Sequence, residues 1–196
     1  MKHLAWILVA ALLPSAALAH SLGVFADPLG TDCNLVIPYP GGSVTAYVVG
    51  AIDATATLGV QGEVFRIGGL PQGWTASVVA SGPDINLVFG DPFVEGASIG
   101  YSHCVTGTRV VLVLSITPSS SVENVSLAIL PHTNPQARWC GFEGQVCTEP
   151  CPIFCACNGL GEDCRCVDSL PATINGRGCF VGTEARTWGR LKVTYR

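Results

Sequence analysis

The sequence predicts an all-β chain, an antiparallel β-sandwich followed by a small disulfide-rich, loop-rich region, and three observations carry that prediction. Short apolar segments alternate with Gly, Pro, Asn and Asp along the first two thirds of the 196 residues. Lys192 is the only lysine after residue 19, and Val, Thr and Ile abound, so the straight-chain residues that favour helices are scarce. Only Cys33 and Cys104 precede Arg138, whereas eight of the ten cysteines follow it.

The expected strands, in order, are Leu22–Ala26, Ser43–Ala51, Glu63–Ile67, Trp74–Ala80, Asp84–Phe89, Ala97–Ser102, Arg109–Ile116 and Val122–Leu130. Many short strands at regular spacing suit a sandwich, and helices should be few and short. Val110-Val111-Leu112-Val113-Leu114 lacks the alternation of a half-wet strand, which predicts a central strand covered on both faces. In Gly69-Leu70-Pro71-Gln72-Gly73-Trp74, proline fixes one φ angle and glycine permits a positive one, so a turn delivers Trp74 into the next strand and the core. A sugar-stacking role for Trp74 needs other aromatics on an exposed face, and Tyr47, Tyr101 and Phe65 are the candidates.

Gly23-Val24-Phe25-Ala26-Asp27, the apolar run Val44 to Ala51, Leu70-Pro71-Gln72-Gly73-Trp74, and Ser98-Ile99-Gly100-Tyr101 before Cys104 together resemble the Ig-like or cohesin-like β-sandwich modules of secreted bacterial proteins. The likeness covers about residues 20 to 130, and it implies adhesion, scaffolding or carbohydrate binding. The ending Thr187-Trp188-Gly189-Arg190-Leu191-Lys192-Val193-Thr194-Tyr195 is similar to the close of other uncharacterised secreted bacterial proteins. No functional residue carries over from either likeness.

Residues Met1 to Ala19 have the layout of a secretory signal peptide: Lys2 and His3, an apolar run from Leu4 to Leu13, Pro14, and small residues at Ala17 and Ala19. Cleavage between Ala19 and His20 leaves a secreted chain, extracellular or periplasmic, with 9 basic and 14 acidic residues. That balance excludes a nucleic-acid binder, and no later apolar run could span a membrane. The partner is unspecified, an extracellular protein or a polysaccharide. The expected organisation is a signal peptide (1–19), a sandwich domain (20–139) and a cysteine-rich region (140–196) that packs against it.

Ten cysteines in an exported chain argue for five disulfides. Pairing Cys33 with Cys104 would close a loop of about 70 residues and contribute about 2–4 kcal/mol. Cys140, Cys147, Cys151, Cys155, Cys157, Cys164, Cys166 and Cys179 would cross-link a loop-rich knot, in a connectivity that spacing does not choose. They lack the Cys-x2-Cys pairs of zinc or redox sites, no His follows Arg138, and so neither metal nor cofactor is expected. Asn175-Gly176 suits a two-residue hairpin turn between Thr173-Ile174 and Arg177 to Val181.

No catalytic residue is assigned. His103 follows Ser102, but neighbours on a strand point to opposite faces and should not meet. A glycosidase would need two of Glu63, Asp84, Asp91 and Glu95 held at a fixed separation, and acids beside Pro83 and Pro92 read as turn chemistry. Asp27 and Asp32 could present carboxylates to calcium, without the acidic ladder of an EF-hand. Leu130-Pro131-His132-Thr133-Asn134 reads as an exposed loop, and Asn124-Val125-Ser126 is a sequon inside an expected strand. The leading expectation is thus a non-catalytic secreted or cell-surface module for adhesion, extracellular structure or ligand binding. A carbohydrate-binding module and a small extracellular hydrolase are the alternatives.

Overall fold

The computed structural model describes residues 20–52, 60–133, 153–155, 165–166 and 168–176. The expected signal peptide lies outside the described residues, as do the side chains of the eight later cysteines. The described chain is all-β. In order it forms β1 (His20–Phe25), β2 (Asn34–Leu35), β3 (Val44–Ile52), β4 (Val60–Gly68), β5 (Thr75–Ser81), β6 (Ile85–Phe89) and β7 (Ala97–Val105). Then come β8 (Gly107–Thr117), β9 (Val125–Leu130), β10 (Ile153–Cys155), β11 (Arg165–Cys166), β12 (Asp168–Leu170) and β13 (Ala172–Ile174). Among the described residues there is no helix, and none long and apolar enough to cross a membrane.

Two sheets result, mostly antiparallel. The first runs β12-β1-β3-β8-β5; the second runs β11-β10-β4-β9-β13-β2, with β7 on β4 and β6 on β7. All eight expected strands form. β9 begins three residues later than expected because Asn124 adopts a positive φ of 54°, which a continuing strand does not allow. β2, β10, β11 and β12 were not expected as such, whereas β13 includes the Thr173-Ile174 arm of the expected hairpin. The chain after residue 139 returns to both sheets: β12 pairs in parallel with β1, β10 with β4, and β13 lies between β9 and β2.

Side chains of both sheets share one apolar cluster, including Leu22, Val24, Ala46, Val48, Leu112 and Leu114 from the first and Phe65, Ile67, Ile99, Leu127 and Ile174 from the second. Strand alternation explains most of this, since every second side chain faces the facing sheet. The expectation that Val110 to Leu114 is covered on both faces needs correction. β8 is indeed flanked by β3 and β5, but Val110 and Val113 are only half-buried. Its consecutive buried pair Val111-Leu112 has another cause: the register slips between Val48 and Val49, so β8 carries an extra residue opposite that break.

The turn before β5 forms as expected. Pro71 O accepts the Trp74 N–H at 3.1 Å, and Gly73 supplies the positive φ of 82°. Trp74 is buried, its Nε1 donating to Ser120 Oγ at 3.1 Å.

Candidate functional site

β5 and β6 are the outermost strands on one flank of the two sheets, joined by the short link Gly82-Pro83-Asp84. Gly82 N donates to Val111 O in the first sheet at 3.0 Å, and Ser102 N donates to Asp84 O at 2.8 Å in the second, so three residues carry the chain across. These two outer strands carry exposed apolar side chains, Val79 (59%) on β5 and Leu87 (39%), Val88 (38%) and Phe89 (65%) on β6, with Val94 (64%) in the loop after β6. Bulges explain part of this. The β5–β8 register slips between Val78 and Ala80, turning Val79 outward, and the β6–β7 register slips between Ile85 and Leu87. No residue of Ile85-Asn86-Leu87-Val88-Phe89 is charged, so β6 lacks the lysine or proline that usually blunts an edge.

One end of β6 carries a polar group. Asp84 Oδ2 accepts from Arg109 Nη1, Arg109 Nε donates to Thr106 O at 2.9 Å, and His103 Nε2 stands 3.9 Å from Asp84 Oδ1. Ser102 Oγ and His103 Nδ1 are 3.0 Å apart, which corrects the expectation that these neighbours do not meet. The Ser–His–Asp sequence of groups is nonetheless slack: the His–Asp gap exceeds a hydrogen bond, and the carboxylate is committed to Arg109.

Beneath this end, Tyr101 Oη donates to Glu63 Oε1 at 2.9 Å, both side chains being buried. Burial, and then the Glu63 carboxyl beside it, push the Tyr101 phenol well above its ordinary range, so it remains a donor. Among the acids weighed for hydrolysis, Asp91 and Glu95 share one turn and the others lie outside it. Asp84 and Asp91 lie at opposite ends of a five-residue strand, about 17 Å long, and Glu63 is inside. Asp91 closes its own turn, Oδ1 accepting from Phe93 N at 2.8 Å, while Glu95 Oε1 accepts from Asp91 N at 3.2 Å.

The remaining sequence candidates fall elsewhere. Asp27 is spent on its own loop: Oδ1 accepts from Leu29 N at 2.8 Å, and Oδ2 accepts from Thr31 N, Thr31 Oγ1 and Asp32 N. Partial desolvation works against ionisation there, but the N–H groups of Asp32, Leu29 and Thr31 prevail and hold the carboxyl below its ordinary range. Asp32 Oδ1 likewise accepts from Asn34 N at 2.8 Å. Both carboxylates thus face N–H donors, the opposite of a cation's requirement. No cluster of potential metal ligands occurs among the described residues.

Tyr101 and Phe65 are buried and Tyr47 packs against the core, so they form no outward aromatic face with Trp74. His132 is also buried, which corrects the expected exposed loop at that residue; Leu130 and Pro131 are half-buried, Thr133 is exposed, and Asn134 lies outside the described residues. Thr133 anchors that segment through N–H and Oγ1 donation to Glu95 O, and Gly96 makes room, since a Cβ there would stand 2.5 Å from the imidazole. Asn124 of the sequon is exposed just ahead of β9.

Cys33 and Cys104 are both disulfide-bonded. The expected bridge between them is not compatible with the register. Asp32 O accepts from Ala26 N, placing Cys33 beyond the Phe25–Tyr47 end of β1 and β3. Cys104 precedes Gly107, which pairs with Ile52 at the other end of β3. Five residues of strand separate those ends, about 17 Å, and a disulfide spans about 7 Å between Cα atoms at most.

The residue that sequence reasoning valued only as a turn is Asn175. Its φ of 50° ends β13, while Oδ1 accepts from Ile37 N at 2.7 Å and Nδ2 donates to Ile37 O at 2.9 Å and Val122 O at 3.0 Å. The other half of its expected hairpin, 177–181, lies outside the described residues. No known protein-family model matches the chain, and no curated protein matches it.

Proposed function

We propose that this is a secreted or cell-surface, non-catalytic module acting in adhesion, extracellular structure or ligand binding, and that it makes contact through the β5–β6 flank. The observation that carries the reading is the set of exposed apolar side chains at Val79, Leu87, Val88 and Val94 on an uncharged outer strand. An outer strand with exposed apolar side chains and no charge is the kind of edge through which proteins pair or dock with partners. Two sheets sharing one core support an Ig-like or cohesin-like sandwich, the kind of module such surfaces occur on. The apolar start and small residues at Ala17 and Ala19 support export with cleavage before His20, into an extracellular or periplasmic setting.

The test is sedimentation of the mature chain with cell envelopes of the producing organism, compared with Val88→Lys. Val88 is 38% exposed, so the variant is expected to keep the fold, which its urea unfolding checks, while placing a charge on the flank. Binding lost in the variant supports the flank; equal binding by both removes it. A carbohydrate-binding module would instead show glycan-dependent binding indifferent to Val88. A hydrolase would show turnover abolished by Asp84→Asn. The commitment of Asp84 to Arg109 favours neither.

A further inference from the structure

We infer that Cys33 and Cys104 are each bonded to a different cysteine of the 140–179 stretch, so that this stretch is fastened to the two-sheet body at both of its ends. Three observations lead there. Both cysteines are in disulfides, the register holds them about 17 Å or more apart, and every other cysteine of the chain lies between Cys140 and Cys179. The backbone brings that stretch to both places. Thr173 N donates to Cys33 O at 2.9 Å, and Ile153 pairs with Gly62, whose other neighbour is Gly100 on the strand that ends beside Cys104.

The arrangement also answers a physical need. β10, β12 and β13 contribute three residues each to the sheets, so each sets only a few hydrogen bonds against the entropy of fixing its place there. Cross-links at opposite ends confine those segments in the unfolded chain as well. Each bridge forms from two thiols, which release two protons and pass two electrons to the thiol-oxidising catalyst of the compartment receiving an exported chain; to that extent the inference rests on export. Two bridges to the body leave six cysteines, enough for three more bridges within 140–179.

Peptide mapping of the natural chain tests this: secretion from an oxidising host, alkylation without reduction, digestion at low pH to prevent exchange, and mass identification of linked peptides. The Cys33 and Cys104 peptides are each expected to carry a peptide from 140–179. A Cys33–Cys104 linked pair, an alkylated thiol at either position, or a bond to a second copy would overturn the inference while leaving export and the binding flank untouched. A second readout is cleavage at a single site for a specific protease introduced after Arg138, because trypsin would also cut at Arg66, Arg109 and the basic residues beyond 138. The two pieces should stay together in denaturant and separate only when reductant is added, and separation without reductant would count against the cross-links.

Discussion

Tyr101 donates its hydroxyl hydrogen to the carboxyl of Glu63 across two adjacent strands, and both groups are sealed within the second sheet. Replacing Tyr101 by Phe removes the donor and leaves Oε1 short of this partner in a place water does not reach. The expected cost is about 1–3 kcal/mol of unfolding free energy, measured by urea denaturation at neutral pH. Glu63→Leu should cost less than Glu63→Ala, because it fills the space as it removes the acceptor.

The same pair predicts alkaline sensitivity. The Tyr101 phenol is raised above its ordinary value of 10.0 in the folded chain, first by burial and then by Glu63. The folded state therefore keeps a proton that the unfolded state gives up. Stability from this group is complete below about pH 10 and declines as pH rises past that value. Unfolding followed at several alkaline pH values should show the decline, and Tyr101→Phe should flatten it.

Asn175 ties the connection at Ile37, the approach to β9 at Val122 and the end of β13 into one knot. Asn175→Ala loses three hydrogen bonds and also forces a Cβ without a polar tip into positive φ, so a cost of about 2–4 kcal/mol is expected. Asn175→Gly removes the backbone penalty but not the lost bonds. The two variants measured side by side by thermal or urea unfolding separate the terms: Gly should be the milder, yet clearly below the natural protein.

Asn175 also shows where the sequence stopped being legible. Its φ could be read from Asn-Gly, because that dipeptide tolerates the left-handed region. Its partners Ile37 and Val122 lie 138 and 53 positions away, and no local pattern announces them. The eight longer strands were readable from apolar runs bounded by turn residues. β2, β10, β11, β12 and β13 have two or three residues each, too short for periodicity to register. The flank is intermediate: Ile85 to Phe89 reads as a strand, but whether its apolar side chains are covered depends on which strand lies beyond it. Likewise the Ser102–His103 approach defeats a rule about strand faces because that rule places Cβ atoms, not the tips of side chains.

Trp74 is a plug with one polar tether. Trp74→Phe loses the 3.1 Å bond to Ser120 and part of the ring volume, for an expected loss of about 1–3 kcal/mol, whereas Trp74→Ala should cost about 3–5 kcal/mol. Because the indole is inside, the fluorescence difference between the natural chain and Trp74→Phe should not respond to soluble glycans. It should shift to longer wavelength when urea exposes the ring. A glycan-dependent change in that difference would place Trp74 at a binding face and overturn its role in the core.

Asp27 makes the acid limb of the stability curve predictable. Its ordinary value is 3.8, and loop N–H donors hold the folded value lower despite the opposing effect of desolvation. The unfolded chain thus takes up a proton before the folded chain does. Stability from Asp27 is fully present above about pH 4 and is lost as pH falls through the folded value. Asp27→Asn keeps the shape but substitutes an NH2 for one oxygen, which cannot accept from both Leu29 on one side and Thr31 and Asp32 on the other. The variant should be less stable at neutral pH, and its stability should fall less steeply on acidification. Calcium should leave its melting temperature and that of the natural chain unmoved, since the oxygens a cation would need already face N–H groups. A rise with calcium in the natural chain alone would mean that the loop reorganises around the ion, and Asp27 would then be a ligand rather than a clasp.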